Sequence, residues 1–490
     1  MVKMLTKGAF FILLLIVVAA NNTKKRSKPP NIVFILADDL GWNDVGWHNV
    51  DVKTPNLNKL AYEGVIFNYS YTQPTCSPSR AAILTGRYPF MTGTQRGIIG
   101  EEKPYGLPLK YELMSDRLKR LGYSTHIVGK WHLGYCKWEY TPTFRGFDSF
   151  YGFLNGAQDY YTHLKGAVHS EGVDFRNNKR VVIDQFGVYS THSHTKRAVK
   201  VIKHHNNEKP FFLYLPFQAV HTPLQVPKQY TDQYGHIKDN NRRIFLGMVS
   251  ALDEAVGNIT KALRKNRMLR DTLIVFTSDN GGNVHGGGNN WPLRGGKTTL
   301  FEGGTRVPTF VWGKMIKRRR RTTNGLFHAV DWVPTLLHFA GGKTEKELDG
   351  VNQWSMINQN KASNRKEMVY TINEVTKVAA IRIGKYKLIE GFPGRYRSWY
   401  PPPHSPMKYW KSVYYNLFYV RHNHRRIWLY NVKDDPQETT DLSRKLYWVV
   451  KRLRKKLRDY KKGLVPAIVA KSSPKSNPIF WGGAWSPGWC

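Results

Sequence analysis

The chain has 490 residues and carries 75 Lys and Arg against 35 Asp and Glu, a formal charge of +40 at neutral pH. The length is a prior for two or three domains and leaves room for more than one buried core. A 41% hydrophobic content with 13% aromatics excludes wholesale disorder. The charge exceeds what solubility needs and points to polyanionic partners: nucleic acid, an acidic membrane surface, or a sulfated or phosphorylated polymer.

Lys3 and Lys7 flank the start of an apolar run from Ala9 to Ala20. That run is shorter than the ~20 residues needed to span a bilayer. It reads as a secretory signal peptide over residues 1–20, with Val18 and Ala20 as small residues before a cut near Asn21. No later run is long and apolar enough to cross a membrane, so a transmembrane span is not expected. The expected location is the secretory pathway, secreted or lysosomal. Nucleic acid then recedes as a partner and extracellular polyanions advance. Sequons at Asn21, Asn68 and Asn258 suit that compartment. The cysteines are Cys76, Cys136 and Cys490, enough for one intramolecular bridge. Cys136 and Cys490 are the natural pair if Cys76 has another role.

Asn31–Leu36 is a continuous apolar run ending in Asp38-Asp39. Glu112–Leu121 is helical in pattern, and Ser124–Val128 is a short apolar run. Phe211–Phe217 is another, Phe245–Leu269 contains a second helical pattern, and Leu273–Ser278 runs into Asp279-Asn280. Short all-apolar runs between helices predict strands buried on both faces of a mostly parallel sheet. The fold class is therefore α/β, with ligands expected beyond the carboxyl ends of the strands. After about residue 345 the texture changes. Ala380–Ile389 and Ile427–Val432 alternate like half-exposed antiparallel strands. Arg444–Lys462 carries an apolar stripe at helical spacing among ten basic residues and one acid. Residues 346–490 hold 28 basic and 10 acidic residues, nearly doubling the charge density of the preceding chain. Lys317–Arg321 is the sharpest basic cluster and is read as an exposed loop, with a solvated surface or processing site and a binding patch equally open.

Singly, Asp38-Asp39 and Asp279-Asn280 are turn and cap residues. Together, at the ends of two parallel strands, they form an oxygen-donor set for a hard divalent cation. Cys76-Ser77-Pro78-Ser79-Arg80 opens onto a small-residue run, which suits a helix N-terminus. Exposed N–H groups there favour an anion, and Arg80 adds a fork for a tetrahedral oxyanion.

Cys76-x-Pro78-x-Arg80, followed by Ala81-Ala-Ile-Leu-Thr-Gly-Arg87, resembles the sulfatase signature. Ile35-Leu-Ala-Asp-Asp-Leu-Gly41, Gly129-Lys-Trp-His-Leu-Gly134, His221-Thr-Pro223 and Ser278-Asp-Asn-Gly-Gly282 agree in order. Gly287–Lys297 and Phe301-Glu-Gly-Gly304 are similar to the arylsulfatase B, I and J subgroup. The resemblance covers about residues 31–345, and continues weakly through Leu429–Pro436 and Asp441–Ser443. Cysteine is lacking at Gly100–Gly106 and Tyr160–Gly166, and Met91 stands where the subgroup has arginine.

The resemblance implies an alkaline-phosphatase-like sandwich over 31–345 and a smaller, basic C-terminal domain over 346–490, with an antiparallel sheet and one helix. It implies that Cys76 is oxidised to formylglycine by the formylglycine-generating enzyme. It puts a Ca²⁺ on Asp38, Asp39, Asp279 and Asn280, with residue 76 completing the site. A hydroxyl of the hydrated aldehyde would attack sulfur, leaving a covalent sulfate on residue 76. His221 or Lys297 would hold the sulfate and protonate the leaving oxygen, and His132 would take the proton from the second hydroxyl. Arg80 and Lys130 would neutralise oxyanion charge. His285 is read as pocket lining and Glu302 as structural. The implied substrate is an aryl sulfate or a sulfated glycan, with sulfated N-acetylgalactosamine of glycosaminoglycans foremost. The alternatives are a phosphodiesterase or phosphatase of the same superfamily, or a catalytically silent secreted glycan-binding protein.

Overall fold

The computed structural model describes residues 28–167, 170–343, 345–402 and 427–490. The expected signal segment and the sequon at Asn21 lie outside these residues.

The strand Asn31–Ala37 is buried at every position because it lies mid-way across a ten-stranded sheet covered on both faces. Ile32, Phe34 and Leu36 enter one core with Ala81, Ile83 and Leu84 of the helix Cys76–Thr85. Val33, Ile35 and Ala37 enter the other core with Val249, Leu252, Val256 and Ile259 of the helix Asn240–Lys265. This period-two alternation into two apolar layers is why the run reads as continuously hydrophobic.

Five parallel strands form the centre, in the order Thr272–Ser278, Asn31–Ala37, Phe211–Pro216, Ser124–Lys130 and Ser149–Phe153. Short strands extend both edges. On one side Phe310–Trp312 runs antiparallel to Thr272–Ser278, followed by Val65–Phe67 and Arg321–Thr323. On the other side Arg176–Asn177 and Arg180–Val181 are antiparallel. The register sets Ala37 beside Ser278, so Asp38 and Asp279 leave the sheet side by side.

A separate antiparallel sheet joins Glu367–Asn373, Val378–Ile383, Tyr386–Glu390 and Ile427–Asn431. The helix Tyr447–Lys461 buries Val449, Val450, Leu453 and Leu457. These join Val369, Ile381, Leu388 and Leu429 in the same core that holds Ile32 and Phe34. The two sheets thus share one apolar layer. A disulfide joins Cys136 to Cys490, closing the pairing that the sequence left conditional.

A buried ionic cluster ties the second sheet to the short helix Glu302–Thr305 and the strand Ser70–Tyr71. Lys387 Nζ sits 3.0 Å from Glu302 Oε1 and 2.9 Å from Glu438 Oε1. Tyr71 donates to Glu302 at 2.7 Å, and the Glu302 N–H donates to Glu438 at 2.6 Å. Burial raises the Glu302 carboxyl, but Lys387 and Arg306 outweigh it and hold the group below its ordinary range. Burial pushes Glu438 up to about 7 despite Lys387. Removing the cation strands two carboxylates in a dry site. Lys387→Met is expected to cost about 3–5 kcal/mol, read as a lower denaturant midpoint. A midpoint equal to wild type would show that the cluster does not hold the second sheet to the Glu302 helix.

Candidate active site

Asp38 and Asp39 follow the first central strand and Asp279 and Asn280 follow its neighbour, all four buried to at least 99%. Asp39 takes a left-handed φ of 61°, which turns its carboxylate back over the strand ends. Asn280 Nδ2 donates to Asp39 Oδ1 at 2.7 Å, and the Asp39 N–H donates to Asp279 Oδ1 at 3.3 Å. Gly281 then lets the chain pass under a neighbouring loop: a Cβ there would lie 1.9 Å from the Gly303 carbonyl oxygen. Any side chain at 281 would push the Phe301–Gly304 segment off the strand end.

Cys76 is the first residue of the helix Cys76–Thr85, and every residue of that helix is buried. Its thiol donates toward Asp38 Oδ1 at 3.6 Å. Burial, with Asp279 next, raises the thiol far above its ordinary range, so an unmodified Cys76 is a neutral thiol here. One turn on, Arg80 points back into the same pocket. Its Nε and Nη2 donate to Asp279 Oδ2 at 3.0 and 2.8 Å, and its Nη1 donates to the Lys130 carbonyl at 3.1 Å.

Lys130 closes the strand Ser124–Lys130, and its Nζ lies 2.5 Å from Asp38 Oδ2. Lys297, from the Gly-rich loop, lies 2.7 Å from Asp39 Oδ2. Three cations therefore meet three carboxylates. Burial and the adjacent Asp279 push Asp38 up to about 7, against the pull of Lys130 and Arg80. Burial also raises Asp39, but Lys297 and His221 overcome it and hold this group at about 2. Burial works against the charge of Lys297, yet Asp39 keeps its ammonium protonated well above the ordinary lysine range.

His221 Nε2 faces Asp39 Oδ2 at 3.7 Å, while its Nδ1 lies 2.6 Å from the Thr222 carbonyl. Burial lowers its pKa to about 3, so the ring is neutral near pH 7 and Nδ1 is its donor. His132, at φ 58°, is also neutral: burial, then Lys130 and Arg80, hold it well below its ordinary range. Its Nδ1 is buried without a partner. Its ring packs on Gly156, where a Cβ would come within 2.9 Å of Cε1. His285 is exposed at a loop that packs on Thr222, with its ring 4.4 Å from that of Tyr396.

All ten residues singled out from sequence thus lie in or against one pocket. Ligand atoms of Asp38, Asp39, Cys76 and His221 lie within 4.8 Å of one another. Asn280 Oδ1 is a buried oxygen with no partner. This dominantly oxygen-donor set, with an unsatisfied amide oxygen, fits a hard divalent cation. The arrangement differs from the expected one in one respect. Arg80 and Lys130 are engaged by Asp279 and Asp38 and are not free forks in the pocket.

The sequence reading did not find the residues that brace this pocket. Arg242 Nη1 lies 2.5 Å from Asp44 Oδ1, and Asp44 Oδ2 accepts from the N–H groups of Gly41 and Asn289 at 3.0 and 2.8 Å. The pair fastens the Asp38-Asp39 turn to the loop bearing Lys297. An Asp three residues after Gly41 and an Arg opening a helix carry no motif, so no local signal marked them. Asp174 plays the same part behind His132, accepting from the N–H groups of Leu154 and Asn155 at 2.9 Å each.

The family model described as Sulfatase matches residues 30–342. The chain is similar to arylsulfatase J of Mus musculus, at 40% identity over 94% of this chain and 80% of the relative. It is 31% identical to N-acetylgalactosamine-6-sulfatase of Homo sapiens, over 70% of this chain and 68% of that one. The crystal structure of Ps i-CgsB in complex with k-i-k-neocarrahexaose superposes with a TM-score of 0.77 at 29% identity, covering 93% of this chain and 97% of that chain. The family match takes in both strand ends, the Cys76 helix and the Lys297 loop, and by it the chain belongs to the sulfatases and is a sulfuric ester hydrolase.

Proposed function

We propose that the enzyme works through a formylglycine made from Cys76 and a Ca²⁺ held by Asp38, Asp39, Asp279 and Asn280. The observation that carries this is the Cys76 side chain itself. It is fully buried, too basic to act as a thiolate, and aimed at Asp38 among three cations. A thiol so disfavoured as an anion is a poor nucleophile. As formylglycine hydrate, residue 76 would offer one hydroxyl for attack on sulfur and a second for release of sulfate. A bound Ca²⁺ would lower the pKa of the attacking hydroxyl.

The protein's own groups then divide the remaining work. The helix N-terminus and the cations favour an anion beside residue 76. Three carboxylates and three cations are balanced, so a divalent cation would leave the pocket positive toward a sulfate ester. Lys297, kept charged by Asp39, grips sulfate oxygens and supplies the proton to the leaving alcohol, while the neutral His221, its proton on Nδ1, offers Nε2 as an acceptor beside it. His132, neutral and with a bare buried Nδ1, is placed among the acceptors for the proton lost in the second half of the cycle. The substrates we assign are sulfated glycans, with N-acetylgalactosamine sulfates of glycosaminoglycans first. Relatives named N-acetylgalactosamine-6-sulfatase and a neighbour solved with a neocarrahexaose support a glycan. We further assign residues 31–345 to the catalytic domain and 346–490 to a basic C-terminal domain. Residues 1–20 are assigned as a signal for the secretory pathway, ending outside the cell or in the lysosome.

Mass spectrometry of the Cys76 peptide, from protein made in a secretory host with the converting enzyme, is expected to show an aldehyde; a thiol throughout contradicts the mechanism. Cys76→Ser should turn over an aryl sulfate at least 10²-fold more slowly with melting unchanged, since a lone hydroxyl cannot expel sulfate, by the ~10²–10⁴ that such proton and covalent steps supply. Wild-type turnover by this variant would sink the proposal. Ca²⁺ at ~100 times its Kd should stabilise EDTA-treated protein by about 2.7 kcal/mol, seen as a higher melting temperature. Asp39→Asn should blunt that rise, and a rise of equal size in the variant would argue against this ligand set.

A further inference from the structure

The basic loop flagged in the sequence is pinned, and its position gives it company. The N–H groups of Arg320 and Arg321 both donate to the Gly64 carbonyl, at 2.6 and 3.3 Å. Gly64 itself lies so close to the sheet that a Cβ would come within 2.4 Å of the Val311 carbonyl oxygen. Arg321 is drawn into a strand, and its Nη2 donates to the carbonyls of Met356 and Ile357 at 2.7 and 2.8 Å. It is thus structural, a departure from the exposed loop expected over all five residues. Arg319 instead faces a cleft of about 810 Å³ shared with Lys59, Arg264, Arg267, Arg270 and Lys314.

These six cations come from the middle of the helix Pro55–Glu63, the C-terminal end of the helix Asn240–Lys265, the turns before the strand Thr272–Ser278, and the segment after Phe310–Trp312. All six are exposed, and none makes an ion pair among the described residues. The one acid in the cleft, Glu63, accepts from Trp312 Nε1 at 3.2 Å. Compensating a helix C-terminus takes one or two cations. Six unpaired charges round a concavity repel one another and focus a positive field that only an anion relieves. The cleft lies at the amino ends of the central strands. Asp279 lies at their carboxyl ends, a seven-residue strand away, or roughly 23 Å.

We propose that this cleft is a second binding site, for a segment of sulfated glycan held apart from the reaction site. Four of the six cations are arginines, whose planar forks match the paired oxygens of sulfate. Single-stranded nucleic acid needs exposed rings for base stacking. The cleft has one ring system, Trp312, which is 4% exposed. The choice of a sulfated polymer rests on the sulfatase reading; the binding itself requires no turnover.

The test uses the full-length protein on immobilised heparin and chondroitin sulfate, eluted with NaCl. The triple variant Arg264→Ser, Arg267→Ser, Arg270→Ser is compared with a charge-matched triple on the C-terminal helix, Arg452→Ser, Lys455→Ser, Arg458→Ser. The cleft variant is expected to elute at lower salt than the matched control, with the slope of log affinity on log salt reduced by roughly two to three. Its turnover of a small aryl sulfate should equal wild type. Equal losses of retention in the two triples would overturn the proposal in favour of bulk charge. Equal retention on a DNA duplex, equally reduced by the cleft variant, would overturn the assignment to sulfated glycan. Absence of turnover in the wild-type protein would count against the enzymatic reading alone, because retention is measured without it.

Discussion

Arg80 forks onto Asp279, Lys130 closes on Asp38 and Lys297 closes on Asp39, all in a pocket from which water is largely excluded. Buried charges persist only when paired, and stripping one partner from such a set costs about 3–5 kcal/mol. The surrounding architecture can be understood as the means of meeting that condition. Parallel pairing brings Asp38 and Asp279 out together. The Cys76 helix delivers Arg80 from one layer, and the strand Ser124–Lys130 delivers Lys130 from the same sheet. The loop carrying Lys297 is held in reach by Asp44 and Arg242, themselves a buried pair. Rigidity follows from the same cause: no member can swing away without leaving a bare charge behind.

This balance also locates the excess charge. A pocket with three carboxylates and three cations contributes nothing net to +40. Two of the cations on the C-terminal helix are spent on the neighbouring sheet, Arg454 on Glu390 and Lys456 on Glu367. Much of the remainder is on the exterior, where its repulsion is screened beyond about 10 Å at 0.1 M salt. A solution-facing charge of this kind changes encounter and retention. The chemistry is set by the neutralised interior.

The sandwich, and the end of it where the candidate residues gather, were legible because they are written in local patterns. Asn31–Leu36 and Leu273–Ser278 had to be buried on both faces, and the acids after each had to emerge at the same end. The helix ends were less so: the pattern Glu112–Leu121 forms a helix only over Met114–Arg120, since Leu113 is extended and Asp116 caps it. Relations between distant segments left no trace in any one segment. The shared core under the two sheets depends on Val449 and Leu453 meeting Ile381, and the Glu302–Lys387–Glu438 cluster joins residues far apart in the chain. Lys317–Arg321 looks like a uniform run, yet pairing of Arg321 with Val65 splits it into four exposed cations and one strand residue.

Under the proposed formylglycine chemistry, the three cysteines fall into an order of events. Cys76 is 1% exposed in the folded chain, so an enzyme that alters it must reach it before the helix Cys76–Thr85 packs away. Cys136 finds its partner 354 residues further on. At ~5–20 residues per second of synthesis that is a wait of roughly 20–70 s, during which the nearest thiol along the chain is Cys76. On the proposed chemistry, early conversion of Cys76 to an aldehyde removes that competitor. Maturation of the reactive residue would then also act as proofreading for the disulfide, by leaving Cys136 a single correct choice among the cysteines of this sequence.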